Sequence, residues 1–427
     1  LRIAFCNMWD DFQPQHNFFT YLLAFVGAQN GVHVKVDETN PNVVFFGPLS
    51  RDAEKKYPGV PKVYFTGENA PPNKDADTFL NLGFQYEVNN NYIRLPLWVL
   101  EINWFNADVE KIVNPCPVSL QAAMNVDPKL LEARPKFCAF VATNPNNQNR
   151  NIAYQILHNW RGVDAGGRLF CNLPGGPIPA GRGGGGGELA KVEFYKNYRF
   201  ALTFENSSSP GYTTEKLFHA KVAGAVPIYW GDPFVDRDFD NRGFINANQV
   251  ASAEDLINLV KKVDEDPEAW RKMAAIPALS EFKKRWCEKT MEEVAKAIFK
   301  KIAKKSVVVS WADAQSFGAK FAAGAVVVSA PAPAPAPAPT LAPAPSVVAT
   351  PAPAQVPAPA QVPAKRVFVT ATNMRFAESA ANALASLKTF EPTIPKIVYI
   401  WPDVTEQVQT VFQKLGATEI RMLPTTV

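Results

Sequence analysis

The stretch Phe200–Asp232 reads FALTFENSSSPGYTTEKLFHAKVAGAVPIYWGD, and the fold follows from it. Arg199 to Phe204 is a mostly apolar run that ends in Glu205-Asn206. Ser207 to Thr213 has three serines, Pro210 and Gly211, the composition of a loop. Thr214 is placed to cap a helix that begins at Glu215-Lys216 and runs to about Val222, and Gly224 suits the left-handed position past its end. Ala225-Val-Pro-Ile-Tyr-Trp230 is the next strand, closed by Gly231-Asp232-Pro233. This is a strand–helix–strand unit of a parallel sheet. Pro227 offers no N–H to a central ladder and predicts an irregularity there.

In open α/β sheets, ligands lie beyond the carboxyl ends of the strands. That edge here carries Glu205, Asn206, Tyr212, the Thr213-Thr214 hydroxyls and the start of the Glu215 helix. Free amides and the dipole at a helix N-terminus favour an anion. Lys216 adds a point charge suited to phosphate. Glu215 is repelled by phosphate and is better suited to accept from ribose hydroxyls. On their own these residues describe a generic anion-binding helix start, with a merely solvated first turn as the plain alternative.

The same alternation extends on both sides. Arg2–Cys6, Val32–Val36, Val43–Gly47 and Lys62–Thr66 read as strands, with a helix through Phe18, Leu22, Leu23 and Val26. Pro115–Pro135 reads as a connection, Phe137–Val141 as a strand and Asn149–Trp160 as a helix. Gly162–Gly187 contains five glycines in a row at 183–187 and predicts an irregular loop, a candidate lid. Helices are expected at Glu188–Tyr198, Ala253–Val263, Pro267–Trp286 and Glu288–Ile302. Residues 1–134 and 135–305 are thus two α/β domains, and 306–328 is a connecting segment. The Pro/Ala-rich segment 329–364, with Pro-Ala-Pro-Ala-Gln-Val twice in tandem from Pro351, predicts an extended spacer. At ~3.1 Å per residue it reaches on the order of 110 Å. Residues 365–427 read as β-α-β-α, a partial α/β domain that resembles the start of another transferase.

Composition narrows the function classes. Apolar residues make up 47% and charged residues 20% of 427, as in a globular protein. With 44 basic and 40 acidic side chains the net charge is +4, and no basic stripe points to nucleic acid. The densest basic runs, Lys283-Lys284-Arg285 and Lys300–Lys305, are expected at helix C-termini. No apolar window reaches the length of a membrane span, and Leu1 opens directly on strand-like residues. Five scattered cysteines and four scattered histidines predict neither a disulfide framework nor a zinc site. Trp98 and Trp104 are candidates for stacking on sugars, but nine tryptophans make a core role the first expectation. Asp236-Arg-Asp238, Asp238-Phe-Asp240 and Asp264-Glu-Asp266 are acidic patterns of the kind that hold Mn²⁺ or Mg²⁺ against a diphosphate.

Phe204-Glu-Asn206, Gly211-Tyr-Thr-Thr-Glu-Lys216 and Val226-Pro-Ile-Tyr-Trp-Gly231 together resemble the donor-site signature of the α-1,3/1,4-fucosyltransferases. Phe65-Thr-Gly-Glu-Asn69, Tyr92-Ile-Arg-Leu-Pro96 and Asn144-Pro-Asn-Asn with Arg150-Asn151 resemble further motifs of that family, so the similarity covers about 1–300. The resemblance implies an inverting enzyme of GT-B architecture, two Rossmann-like α/β domains facing across a cleft. The first domain would bind an oligosaccharide or glycoprotein acceptor, and the second GDP-β-L-fucose, for an α-1,3 linkage. It implies Glu68 as the general base, with Asp10 and Asp11 as rival carboxylates on the same edge. It implies Arg150 and Lys216 as the pyrophosphate cations and Glu215 as the ribose ligand. Asn206 and Tyr212 would line the donor pocket, and no metal or other cofactor is required. Another GDP-hexose, or a non-catalytic glycan-binding module, are the competing readings. Ser207–Pro210 departs from the longer polar residues common at that loop. The C-terminal cysteine pair of secretory members is not evident, which favours the cytoplasm over a Golgi lumen with the anchor removed. The spacer resembles those of multi-domain proteins from large algal viruses, for which the compartment would be the host cytoplasm.

Overall fold

Residues Arg2–Cys6 (β1), Lys35–Val36 (β2), Val43–Phe46 (β3), Lys62–Phe65 (β4), Thr78–Gly83 (β5) and Tyr92–Arg94 (β6) build the first sheet. Its order is β2-β1-β3-β4-β5-β6, and every pair is parallel. This computed structural model describes residues 1–322 except 11, 50–51, 87–89, 107–115, 133 and 181–186. Beyond them it describes 368–372, 396–400, 409, 413–414 and 417–422. Asp11, Gly183–Gly186, the spacer 329–364 and most of the two helices expected in 365–427 lie outside the described residues.

β3 and β4 are buried at every position, as strands covered on both faces must be. α1 (Phe18–Gln29) is buried continuously from Phe18 to Gly27. The Phe19 ring lies 5.0 Å from Phe45 and 5.3 Å from Phe65, fixing the helix to the sheet. Asn17 starts it by accepting from the Phe19 and Thr20 amides, both at 3.0 Å. The strand reading missed β5, which carries a buried Asn81. That polar residue is satisfied by Asn73, whose amide donates to its side chain at 2.7 Å. A short α2 (Asp52–Lys56) precedes β4, and α3 (Leu97–Leu100) follows β6. Ile102–Asn103 (β7) and Val118–Ser119 (β8) pair as a small ladder, followed by α4 (Leu120–Met124). Trp98 and Trp104 are buried in this core and offer no face to a sugar.

Lys136–Phe140 (β9), Val163–Ala165 (β10), Tyr198–Leu202 (β11), Val226–Tyr229 (β12) and Ile245–Asn246 (β13) form the second parallel sheet, in the order β10-β9-β11-β12-β13. β10 lies inside the stretch read as irregular. Helices α5 (Gln148–Arg161), α6 (Gly187–Tyr195), α7 (Glu215–Val222), α8 (Ala253–Asp264) and α9 (Pro267–Ala274) belong to this lobe. Pro227 fits β12 for a geometric reason. The Ile228 carbonyl accepts from Thr203 on the β11 side, so the neighbouring residue faces β13, whose pairing begins only at Ile228. Its missing N–H therefore costs no ladder bond.

The helix expected over Pro267–Trp286 is two helices. α9 ends at Ala274, Pro277 lies in the break, and Ser280 caps α10 (Glu281–Ile298) through the Lys283 amide at 3.1 Å. Lys283 to Arg285 therefore sit in the first turns of a helix, not the last. α10 then crosses back to the first lobe, where Cys287, Met291, Val294, Ala295 and Ile298 share one core with α1. α11 (Ala314–Ala322) adds Phe317, 5.3 Å from the Phe25 ring.

The two lobes are joined by a buried ion pair. Arg94, at the end of β6, donates to both Asp238 oxygens, at 2.9 and 2.7 Å. Trp98 Nε1 donates to the same carboxylate at 3.3 Å, and Lys283 Nζ lies 3.5 Å away. Burial opposes the charge of Asp238, yet Arg94 holds its carboxyl below the ordinary value. Described by itself, a second compact unit spans 337–427. It contains Phe368–Thr372 (β14), Lys396–Ile400 (β15) and Glu419–Met422 (β16) as a parallel sheet in that order. β16 goes beyond the expected β-α-β-α.

Removing one partner of a buried pair strands the other charge, at about 3–5 kcal/mol. Arg94→Met is therefore expected to lose about that much stability in urea denaturation. Arg94→Met with Asp238→Leu should recover part of the loss, because neither Arg94 nor Asp238 is left unpaired, while Lys283 keeps only the Arg237 carbonyl.

Candidate active site

At the exit of β11, Glu205 is fully buried. A carboxylate so placed must be paired, and its partners come from the start of α7. Oε1 accepts the Thr214 amide at 2.7 Å; Oε2 accepts the Thr214 hydroxyl at 2.7 Å and Lys216 Nζ at 3.0 Å. Thr214 stands at the N-cap as expected, but its side chain does not cap the helix, because the hydroxyl is committed to Glu205. Burial raises the Glu205 pKa, with Lys216 opposing the shift. Gly224 follows the helix at φ +69°, the left-handed position expected of it.

Glu205 and its neighbour also organise α5. The Glu205 carbonyl accepts from Asn147 Nδ2 at 2.6 Å, and Asn147 Oδ1 caps α5 through the Arg150 amide at 3.0 Å. The Arg150 side chain is buried; it donates to Asn206 Oδ1 at 2.6 Å and to the Asn144 carbonyl. Burial lowers its pKa, and Glu205 opposes that shift. Arg150, Asn206, Glu215 and Lys216 all line one cavity of about 290 Å³. Its other walls are the exits of β9 and β10 and the first turn of α6.

The cavity lies where the strand order reverses, between β9 and its neighbours β10 and β11, as a ligand site in such a sheet should. A Cβ on Gly167 would stand 2.2 Å from the Ala142 carbonyl oxygen, so only glycine lets the two exits approach. The first sheet repeats this arrangement around β1. There Gly47 crosses the exit of β1, and a Cβ would meet the Asn7 carbonyl oxygen at 2.6 Å. A second cavity of about 150 Å³ opens beside it, lined by Met8, Trp9, Pro48, Leu49 and Phe65 with Asn7 and Glu68. Glu68 is exposed there, while Asp10 is exposed but does not line the cavity.

Tyr212 is buried against Phe84 of the first lobe, ring centroids 5.0 Å apart, and does not line the larger cavity. The acidic patterns have other partners. Asp238 is held by Arg94, Asp240 by Arg242, and Asp264 by Arg161 and Arg199, while Asp266 caps α9. Asp236 is exposed, and none of these lines the cavity.

A group that sequence reasoning missed extends from the cavity into the protein. Lys191 Nζ lies 2.9 Å from Glu188 and 3.2 Å from Glu215, and all three residues line the cavity. Behind them the buried His219 ring lies 3.0 Å from Glu101 of the first lobe and 3.2 Å from Glu188. Burial and Lys191 push the His219 pKa down, but Glu101 and Glu188 outweigh them and set it above the ordinary 6.5. Burial likewise works against Glu188, yet Lys191 and His219 bring it down to about 2. Glu101, Glu188 and His219 bring donor atoms within 4.8 Å of one another. Lys191 and His219 already face those carboxylates. Glu101 stands 118 residues from His219, so no local pattern links the two.

Residues 131–308 match the family description "Glycosyltransferase family 10 (fucosyltransferase) C-term", and residues 3–101 match "Alpha-(1,3)-fucosyltransferase FucT N-terminal domain". An alpha-(1,3)-fucosyltransferase FucT from Helicobacter pylori is 30% identical over 286 residues, 61% of this chain and 56% of that protein. The 3-galactosyl-N-acetylglucosaminide 4-alpha-L-fucosyltransferase FUT3 from Bos taurus is 29% identical over 217 residues, 49% of this chain and 51% of that protein. The chain thus spans about half the length of these curated relatives. A crystal structure of an alpha1,3-fucosyltransferase with GDP superposes with a TM-score of 0.52 at 25% identity, over 73% of this chain and 92% of that one. The two-lobed α/β architecture is the GT-B fold.

The raised pKa of His219 gives a pH window of definite sign. A raised histidine pKa contributes stability that is complete below the unfolded value and lost as pH rises through the folded one. The destabilisation caused by His219→Gln, taken as a difference from the parent in urea, is therefore expected to be larger at pH 6 than at pH 9. A difference independent of pH would mean that His219 is neutral in the folded protein.

Proposed function

The chain belongs to glycosyltransferase family 10, the fucosyltransferases, and from that premise we propose that it transfers L-fucose from GDP-β-L-fucose to a glycan hydroxyl with inversion, forming an α-1,3 linkage. The observation that carries this reading is the convergence of Arg150, Asn206, Glu215 and Lys216 on one cavity. They come from three separate elements of the second lobe, and Glu68 lines the cavity of the first.

In this reading the diphosphate lies between Arg150 and Lys216, and the ribose hydroxyls donate to Glu215. Asn206 keeps the Arg150 guanidinium aimed, and Tyr212 seats the loop between Asn206 and Thr213. Glu68 takes the proton of the acceptor hydroxyl as its oxygen attacks the anomeric carbon of fucose from the face opposite the diphosphate. The bond from that carbon to the β-phosphate oxygen breaks. The electron pair leaves on GDP, where the two side-chain cations stabilise the developing charge. No metal ion is needed, since Arg150 and Lys216 stand at the charge that a cation would otherwise neutralise. The acceptor is the glycan of an oligosaccharide or glycoprotein, with its hydroxyl in the cavity beside Glu68.

Four measurements test this. Glu68→Ala is expected to abolish transfer while GDP affinity stays within twofold of the parent; retained transfer removes Glu68 as the base. Lys216→Ala should weaken GDP binding by about 2 kcal/mol, the size of a charge-assisted contact, or roughly thirtyfold in Kd. Turnover of GDP-fucose should survive EDTA. Among GDP-sugars, equal or faster turnover of a different GDP-hexose would overturn the donor assignment.

A further inference from the structure

The residue after the candidate base spans the cleft. Asn69 Nδ2 donates to Ser207 Oγ at 2.8 Å and to Ser209 Oγ at 2.9 Å, and Ser209 Oγ lies 3.2 Å from Asn69 Oδ1. Both donors of one side-chain amide are thus engaged by a loop nearly 140 residues away in the chain, and its acceptor faces the same loop. We propose that Asn69 is a positioning residue, which sets Glu68 against the donor cavity by fastening its loop to Ser207 and Ser209. The inference rests on Glu68 as base and on the donor site described above.

Both ends of this fastening are rigid. On the Glu68 side, the Thr66 hydroxyl donates to the Glu68 carbonyl at 3.0 Å, and its oxygen lies 3.1 Å from the Glu68 amide. The Ala70 amide also donates to the Glu68 carbonyl, at 2.7 Å. Thr66 and Ala70 thus hold the Glu68 main chain from both sides, beside Asn69. On the other side, Ser207 follows Asn206, the partner of Arg150. Ser208 donates to the Gly231 carbonyl at 2.6 Å, and the Gly211 amide to the buried Asp232 at 2.7 Å. The Gly211 carbonyl accepts from Arg94 at 3.2 Å. The loop that meets Asn69 thus runs from the Arg150 contact to the Thr214–Lys216 turn, and a change at Asn69 alters where Glu68 stands relative to both.

Energetics separate this role from a merely structural one. Solvent-exposed bonds between neutral groups add little net stability. A displacement of about 1 Å between reacting groups can cost about a hundredfold in rate. Asn69→Ala is therefore expected to lower kcat for fucose transfer roughly ten- to hundredfold. The melting temperature and the Kd for GDP should stay near those of the parent.

The double variant Ser207→Ala/Ser209→Ala should reproduce that loss, and the triple variant should be no worse, since all remove one contact. Unchanged kcat in Asn69→Ala overturns the proposal. So does a loss in Asn69→Ala that the serine variant does not share, because Asn69 would then act on the substrate itself. If the parent fails to use GDP-fucose, or Glu68→Ala retains transfer, the function reading falls separately. The fastening is then read by hydrogen exchange over residues 67–70 and 207–211. Faster exchange in both segments of Asn69→Ala supports it, and unchanged exchange overturns it.

Discussion

A carboxylate buried at the end of a strand sets the terms for the second lobe. Glu205 has no access to water, so its charge has to be met by groups that the backbone brings within 3.0 Å. Meeting it fixes the Thr214 amide and hydroxyl and the Lys216 ammonium, and hence the first turn of α7. The carbonyl of the same residue fixes the start of α5 through Asn147. The N-termini of α5 and α7, each favourable to an anion, are therefore both set by one residue that does not itself line the cavity. The Lys216 ammonium and the Arg150 guanidinium are each held at the cavity wall by the same stretch, Lys216 by Glu205 and Arg150 by Asn206.

Other buried charges connect this site to the first lobe. Arg94 with Asp238, and His219 with Glu101, are cross-lobe pairs at 2.7 and 3.0 Å. Such pairs contribute more to geometry than to net stability, because desolvation consumes most of the Coulombic gain. Through Glu188 and Lys191 the His219 pair is continuous with Glu215 in the cavity wall. The relative placement of the lobes and the placement of the cavity carboxylates are consequently set by one chain of charges.

Much of this was legible in the sequence where local pattern carries it. The unit from Phe200 to Asp232 declared itself through an apolar strand, a polar turn, a helix start and Gly224, and its Asn206, Glu215 and Lys216 share a cavity with Arg150, which the family resemblance singled out. What escaped had non-local causes. β5 contains Asn81 and β10 contains Asp164, polar residues that alternate poorly but are satisfied by neighbours outside the strand. Nothing local marks Lys191 or Glu188 in the helix expected from Glu188, and only the fold shows that His219 and Glu101 stand behind them. Tyr212 was expected at the cavity and instead packs on Phe84, a contact across the lobes that no local pattern encodes. The helix drawn from Pro267 to Trp286 ignored Pro277, a residue that helices tend to end before.

The return of α10 to the first lobe bears on how the chain is made. Its Met291, Val294 and Ile298 complete the core begun by Phe18 and Leu22, yet a ribosome delivers them almost three hundred residues later. During vectorial synthesis the first lobe emerges without its closing helix, its apolar face uncovered, while the second sheet is contiguous and can consolidate as it appears. Maturation of the first lobe is therefore a late step, and a nascent chain arrested before Glu281 is a natural client for chaperones.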